Sequence, residues 1–253
     1  QVTKDPHNPV MPVDKRWEES LNNLYPNVQY DGQQGEFRLW YKCLLVDPDL
    51  IAELDNVAPF HKIGWLACYA TSADGVVWRK PSLGLHRFDG STENNIAAIN
   101  TGGFGVLADP SDPDADRRYK MVYDVGHDEM RVRFSPDGLR WSDEMMPEGL
   151  HLKQLGGRSG DTHSNAFWDP RSERYVLITR DYRNERLIAR SDSRDFIHWQ
   201  QPEVVLRATP AQRAKRCETY CMTAFPYGNV YLGLVMMFHI EEGETVDCQL
   251  AWS

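Results

Sequence analysis

Apolar and polar positions alternate in short runs along almost the whole chain, with the period of a strand rather than that of a helix. The clearest runs are led by an aromatic residue: Glu36-Phe37-Arg38-Leu39-Trp40-Tyr41, Arg118-Tyr119-Lys120-Met121-Val122-Tyr123, Arg174-Tyr175-Val176-Leu177-Ile178-Thr179 and Val230-Tyr231-Leu232-Gly233-Leu234-Val235. Their β-branched and aromatic content suits a pleated, half-buried surface. A shorter apolar run ending in turn residues precedes each: Asn27-Val28-Gln29-Tyr30-Asp31, Gly105-Val106-Leu107-Ala108-Asp109-Pro110, Ala166-Phe167-Trp168-Asp169-Pro170 and Ala224-Phe225-Pro226-Tyr227-Gly228. Behind the first three aromatic runs stands an S-x-D-x-x-x-W element, beginning at Ser72, Ser135 and Ser193 and ending at Trp78, Trp141 and Trp199. The next step of about 60 residues from Ser193 reaches Ser253, preceded by Leu250-Ala251-Trp252.

Each unit therefore reads as strand, turn, strand, strand, tight turn, strand, with no helical periodicity. Four strands in a repeat of that length predict an all-β fold of the β-propeller kind and exclude a helical solenoid. In S-x-D-x-x-x-W the Asp, with Gly in two of the three copies, makes a hairpin turn while the Trp packs between blades, so the motif describes architecture rather than chemistry. The expected organisation is one domain over 1–253, with blade one at about 18–81, blade two at about 94–145, blade three at about 161–203 and an incomplete blade four at about 218–253. Blade one carries an insertion, roughly Asp47 to Lys62, within which Val46–Leu54 suggests a short helix.

Composition narrows the function classes. A hydrophobic fraction of 41% is ample for a buried core, and the net charge of −9 argues against a nucleic-acid footprint. The residues contain no apolar run long enough to cross a membrane as a helix and no signal-peptide pattern. Five cysteines (Cys43, Cys68, Cys217, Cys221, Cys248) without a C-x-x-C pair favour buried thiols over a zinc site or a disulfide framework. Cys43 and Cys68 fall on adjacent strands of one blade, which allows one disulfide in an exported protein, so the compartment stays open. No metal or cofactor is expected. Gly-x-Ser-x-Gly is absent, and serine or cysteine nucleophile chemistry has no support.

Asn8-Pro9-Val10 with Trp17-Glu18, Pro81-Ser82-Leu83-Gly84-Leu85 followed by Gly90-Ser91-Thr92-Glu93-Asn94-Asn95-Ile96, and the repeated S-x-D-G-x-x-W together resemble a bacterial group similar to the N-terminal propeller of glycoside hydrolase family 32. That group belongs to the arabinanase, levansucrase and invertase-like superfamily. The resemblance, which covers nearly the whole chain, implies a five-bladed β-propeller with acidic side chains in a pocket on its axis. About four of the five blades would then be present, leaving an open edge through which copies of the chain could self-associate. Hydrolysis of a glycosidic bond needs two carboxylates across it, one protonated and one ionised.

Carried over residue by residue, the resemblance makes Glu218, in Cys217-Glu218-Thr219-Tyr220, the best candidate acid, at the start of the fourth inner strand. Asp161, in Gly160-Asp161-Thr162-His163-Ser164-Asn165, opens the third. Their registers differ by one residue, a shift that turns a side chain to the other face unless a bulge intervenes. The matching register in blade one holds Asn23, and Glu18 beside Trp17 is the nearest substitute carboxylate. Amides, arginine and aromatics suit sugar hydroxyls and ring faces, which adds Asn8, Trp17, Asn94, Asn95, His163, Asn165, Arg180, Asp181 and Tyr220 as candidate carbohydrate-binding residues. The expected function is glycoside hydrolysis of an oligo- or polysaccharide. A catalytically silent glycan-binding or scaffold propeller is the alternative, since a fold alone does not establish chemistry.

Overall fold

The computed structural model describes residues 3, 5–21, 23–55, 63–125, 129–150 and 161–253. The chain divides into two compact units, 1–101 and 102–253.

The first unit holds one antiparallel sheet in the order β1 (Asn27–Asp31), β2 (Glu36–Leu45), β3 (Gly64–Ser72), β4 (Ile96–Ile99). Alternation along β2 and β3 sends Leu39, Tyr41, Cys43, Leu66, Cys68 and Ala70 into one core, where Ile96 and the half-buried Trp17 join them. On the other face Trp40 packs against Tyr69, with the Arg38 guanidinium over both rings. The insertion begins with a short helix α1 (Pro48–Ala52), capped by Asp47 and opened by a proline. The rest of it, from residue 56 on, lies outside the described residues. Cys43 and Cys68 stand on the paired strands β2 and β3 as free, buried thiols.

One boundary moves. The sequence assigns residues from 94 onward to blade two, yet β4 pairs with β3 and completes the first sheet. The Asn95 side chain and carbonyl both bond the backbone of Tyr69, which returns the Pro81–Asn95 loop to its own blade.

The second unit contains three antiparallel sheets. β5 (Gly102–Ala108), β6 (Tyr119–Val125) and β7 (Glu129–Ser135) form the first, with a single bridge from Val132 to Met145 where a fourth strand was expected. β8 (Asn165–Asp169), β9 (Arg174–Tyr182), β10 (Arg186–Ser193) and β11 (Glu203–Leu206) form the second. After a short helix α2 (Pro210–Ala214), β12 (Cys217–Tyr227), β13 (Val230–His239) and β14 (Thr245–Trp252) form the third. In every sheet the leading aromatic of the second strand faces the motif serine: Phe37 opposite Ser72, Tyr119 opposite Ser135, Tyr175 opposite Ser193, and Tyr231 bonded through its backbone to Ser253. The repeat is therefore one of structure as well as of sequence.

Neighbouring sheets of this unit meet through their strand faces. Val122, Val132 and Phe134 pack on Ala166, Leu177, Phe196 and Trp199, while Val176, Ile178 and Ile188 pack on Ala224. The inner strands β5 and β8 approach so closely that a Cβ on Gly105 would overlap the Ser164 carbonyl, and one on Gly103 the Thr162 carbonyl. Two bulges shape the leading ends of the inner strands, one between Gly102 and Gly105 and one between Thr219 and Cys221.

Candidate functional site

The candidates in the first unit come together as a closed network. Glu18 is fully buried: one carboxylate oxygen accepts from the Tyr41 hydroxyl at 2.5 Å, and the other from Lys80 Nζ at 2.8 Å and the backbone N–H groups of Asp14 and Lys15. Asn95 donates to Tyr41 Oη and the Tyr69 carbonyl and accepts from the Trp17 indole at 2.7 Å. Asn94 is spent on the His86 carbonyl and the Ile96 N–H. Burial works against the Lys80 ammonium, but hydrogen bonds to Asp14 and Glu18 outweigh it and leave its pKa above that of an ordinary lysine. Asn8 stands apart, exposed, donating to the Asp5 carbonyl. Trp17, Glu18, Asn94 and Asn95 are thus engaged with one another, with Tyr41 and Lys80 and with backbone, bracing the segment before β1 against the sheet.

The candidates in the second unit are differently placed. The Asn165 side-chain Oδ1 accepts from the Ala224 N–H at 2.9 Å and His163 Nδ1 lies 3.2 Å from the Thr223 hydroxyl, which ties β8 and the residues just before it to β12. On the same face Arg180 donates to the Tyr220 carbonyl at 2.8 Å, lies over the Tyr220 ring and reaches to 3.7 Å from Asp161. Glu218 accepts twice on Oε2 from Arg186, through the backbone N–H and the guanidinium at 2.8 Å. Its side chain is 15% exposed and that of Asp161 44%. Tyr220 is the extra residue of the β12 bulge. Counting back from Phe167 and Phe225, which hold the same pairing position, the bulge absorbs the one-residue offset between Asp161 and Glu218. In register the two carboxylates therefore correspond, Asp161 four residues before β8 and Glu218 second in β12, and contacts run from Asp161 through Arg180, Tyr220 and Arg186 to Glu218.

No protein-family model and no curated protein sequence matches the chain. Solved structures do. An N-acetylgalactosamine deacetylase from F. plautii, in complex with blood group B trisaccharide, superposes with TM-score 0.58 at 15% identity over 85% of this chain and 62% of that one. An α-L-arabinofuranosidase from Podospora anserina, in complex with cellotriose, gives 0.59 at 13% identity over 96% and 67%. A family 43 endo-arabinanase from Bacillus licheniformis gives 0.51 at 10% identity over 90% and 71%. The fold is that of the β-propeller glycoside hydrolases.

In a propeller of this kind each antiparallel sheet is one blade, and β1, β5, β8 and β12 are the inner strands. Asp161 and Glu218 then lie at the leading ends of the third and fourth inner strands. Asp124, at the end of β6, was missed by the sequence reading. It is buried, and Gly102 and Gly103 make room for it: a Cβ on either would come within 2.9 Å of its carboxylate. The available signal was its position, five residues after Tyr119, as Arg180 is after Tyr175. Asp181 is buried on the face of β9 opposite to Arg180, with Oδ2 bonded to Arg183. Among the described residues no group of three or more His, Cys, Asp or Glu side chains converges as a metal site.

Proposed function

We propose that the chain is the propeller of a glycoside hydrolase acting on an oligo- or polysaccharide, with Glu218 as general acid and Asp161 as its partner carboxylate. A five-bladed ring with an axial pocket is part of this reading. The observation that carries it is the Glu218 carboxylate, held on one oxygen by Arg186 and without a protein hydrogen-bond partner on the other among the described residues. A carboxyl oriented by one oxygen and free on the other suits proton transfer to a leaving glycosidic oxygen. Tyr220 supplies an aromatic face beside it, and Arg180 and Asp161 supply groups for sugar hydroxyls. The similar structures named as acting on or binding carbohydrate support the substrate class without fixing the sugar.

The closed state of Glu18 favours the second reading, a glycan-binding propeller without turnover, because it withholds a blade-one carboxylate. One experiment separates the two. The protein and its Glu218→Gln variant are assayed on p-nitrophenyl furanosides and pyranosides, arabinan and inulin, with binding followed calorimetrically. Hydrolysis of at least one probe, reduced about 10²–10⁴-fold in a variant with unchanged circular dichroism, is expected. Near-normal turnover by the folded variant would remove Glu218 from the acid role, and binding without turnover in either protein would establish the glycan-binding reading.

A further inference from the structure

The seam between the second and third blades is filled by aromatic side chains of an S-x-D-x-x-x-W turn. Val122 and Val132, paired across β6 and β7, lie on one side of it, and Ala166 and Leu177, paired across β8 and β9, lie on the other with Tyr175. Phe196 and Trp199 pack into this cluster, the Phe196 ring centroid 5.4 Å from that of Tyr175 and 6.2 Å from that of Phe134. The seam between the third and fourth blades repeats these positions one blade on. Ile178 and Arg190 are paired across β9 and β10, Ala224 and Gly233 across β12 and β13, and Tyr231 stands beside Ser253 as Tyr175 stands beside Ser193. These five residues line a cavity of about 290 Å³. Its place in the repeat is the one that Phe196 and Trp199 hold in the preceding seam.

The lining suits an aromatic ring. Where the preceding seam has Val132, this one has Arg190, whose guanidinium bonds Asp192 through two nitrogens at 2.8 and 3.1 Å. A guanidinium fixed and neutralised in this way stacks readily on a ring face. Where the preceding seam has Leu177, this one has Gly233, and the Met222 thioether borders the cavity beside it, a soft contact for an aromatic edge. At the rim Val205 is 50% exposed and Trp252 75%, so the apolar surface continues outward beyond the cavity. Size is no obstacle, since an apolar cavity of roughly 150 Å³ already admits benzene. We infer that the seam between the third and fourth blades is a docking site for a partner polypeptide that presents an S-x-D-x-x-x-W turn, its tryptophan entering the cavity against Arg190. The interface such a turn would form continues the one the chain already makes between its second and third blades, and this favours a turn over a free aromatic molecule. The inference does not depend on the hydrolase reading.

The probe is a capped peptide copying Ser193–Gln200 of this chain, with 5-fluorotryptophan at the Trp199 position, titrated with the natural chain and followed by fluorine NMR and by the protein Tm. Saturable binding of one peptide per chain is expected, with Tm raised by about 3 °C or more at ten times Kd. The peptide carrying Trp199→Ala binds at least about tenfold more weakly, because the buried ring supplies most of the contact. In the protein, Gly233→Leu restores the side chain that Leu177 provides in the preceding seam and fills the cavity. Its Cβ would meet Met222 Sδ at 2.9 Å, the flexible end of a side chain that can turn aside. That variant is expected to lose the peptide while melting near the natural chain. If it fails to fold, the comparison of the two peptides still decides. Equal binding of the two peptides, or no binding of either, would overturn the assignment. Binding of N-acetyltryptophanamide as tight as that of the peptide would make the cavity a site for small aromatic molecules instead. A natural chain that is dimeric in light scattering, becomes monomeric as Gly233→Leu and does not take the peptide would give the cavity to a second copy.

Discussion

Lys80 is 5% exposed, and its ammonium lies between Asp14, at 2.5 Å, and the fully buried Glu18, at 2.8 Å. Tyr41 closes the other side of Glu18, and burial together with the neighbouring thiols and carboxylate pushes its phenol far above the usual tyrosine range. The tyrosine therefore stays neutral and donates. A pair so enclosed contributes little net stability while intact, yet losing one partner leaves the other buried and uncompensated. Lys80→Met is expected to destabilise the fold by about 3–5 kcal/mol in urea denaturation, and adding Glu18→Gln to restore much of the loss. The same pair of variants tests what Glu18 is for. A bracing residue changes stability and leaves turnover per folded molecule nearly intact; a carboxylate acting on substrate would do the reverse, so a large fall in turnover with unchanged urea midpoint would count against the bracing role. Two further side-chain bonds repeat between blades of the second unit. The Tyr175 hydroxyl donates to Asp109 at 2.6 Å, and the Tyr231 hydroxyl to Asp169 at 2.9 Å, so the aromatics that open β9 and β13 latch onto the Asp at the end of the preceding sheet's first strand.

The S-x-D-x-x-x-W element folds the same way three times. In each copy the serine hydroxyl bonds the Asp, the Asp accepts from two backbone N–H groups further on, and the third turn residue takes a positive φ: Gly75 at 75°, Gly138 at 77° and Phe196 at 66°. Phe196 accepts left-handed strain that glycine avoids, and gains a buried place against Phe134, Tyr175 and Trp199. Phe196→Gly relieves about 1 kcal/mol of strain but forfeits about 3–5 kcal/mol of packing, so a net loss near 2–4 kcal/mol is expected by chemical denaturation. A variant as stable as the natural chain would mean that the strain outweighs the packing. These turns were legible in the sequence because every bond in them is local. The strands were legible for the same reason, through alternation. What escaped depends on distant partners: Glu18 looked available because Lys80 lies 62 residues away along the chain. Asp124 drew no notice because the glycines that admit it, Gly102 and Gly103, belong to another strand. The offset between Asp161 and Glu218 looked like a mismatch because the Tyr220 bulge is set by pairing with β13, which no local pattern announces.

Across the chain, acidic residues outnumber basic ones by 37 to 28, and many carboxylates are engaged at turns and blade contacts. Burial alone would raise Asp109, Asp137, Asp169 and Asp195, yet all four are held below the ordinary value of 3.8. Tyr175, Ser111 and Lys120 do this for Asp109, backbone N–H groups and Arg140 for Asp137, Ser172 and Tyr231 for Asp169. Asp195 falls to about 2 under the N–H groups of His198 and Ile197 and the His198 ring. A carboxylate whose pKa is depressed by folding contributes stability that is complete above its unfolded value and lost as pH falls through the folded one. The acid limb should therefore run from about pH 4 down to about pH 2. Lys80 has the opposite sign: raised by its two carboxylates, it contributes below the ordinary lysine value of 10.5 and loses that contribution as pH rises through its folded value. His198 is also raised, chiefly by Asp195, but it is exposed and screened, so little should change near neutrality. Calorimetric melts from pH 2 to pH 9 are expected to show a plateau from about pH 5 upward and a fall below about pH 4. Asp195→Asn should lower the plateau and flatten the acid limb, because the variant lacks one of the groups that must be protonated; the two curves then converge toward pH 2. Parallel curves, separated equally at pH 7 and pH 2.5, would show that the Asp195 turn acts through its shape and not through its charge.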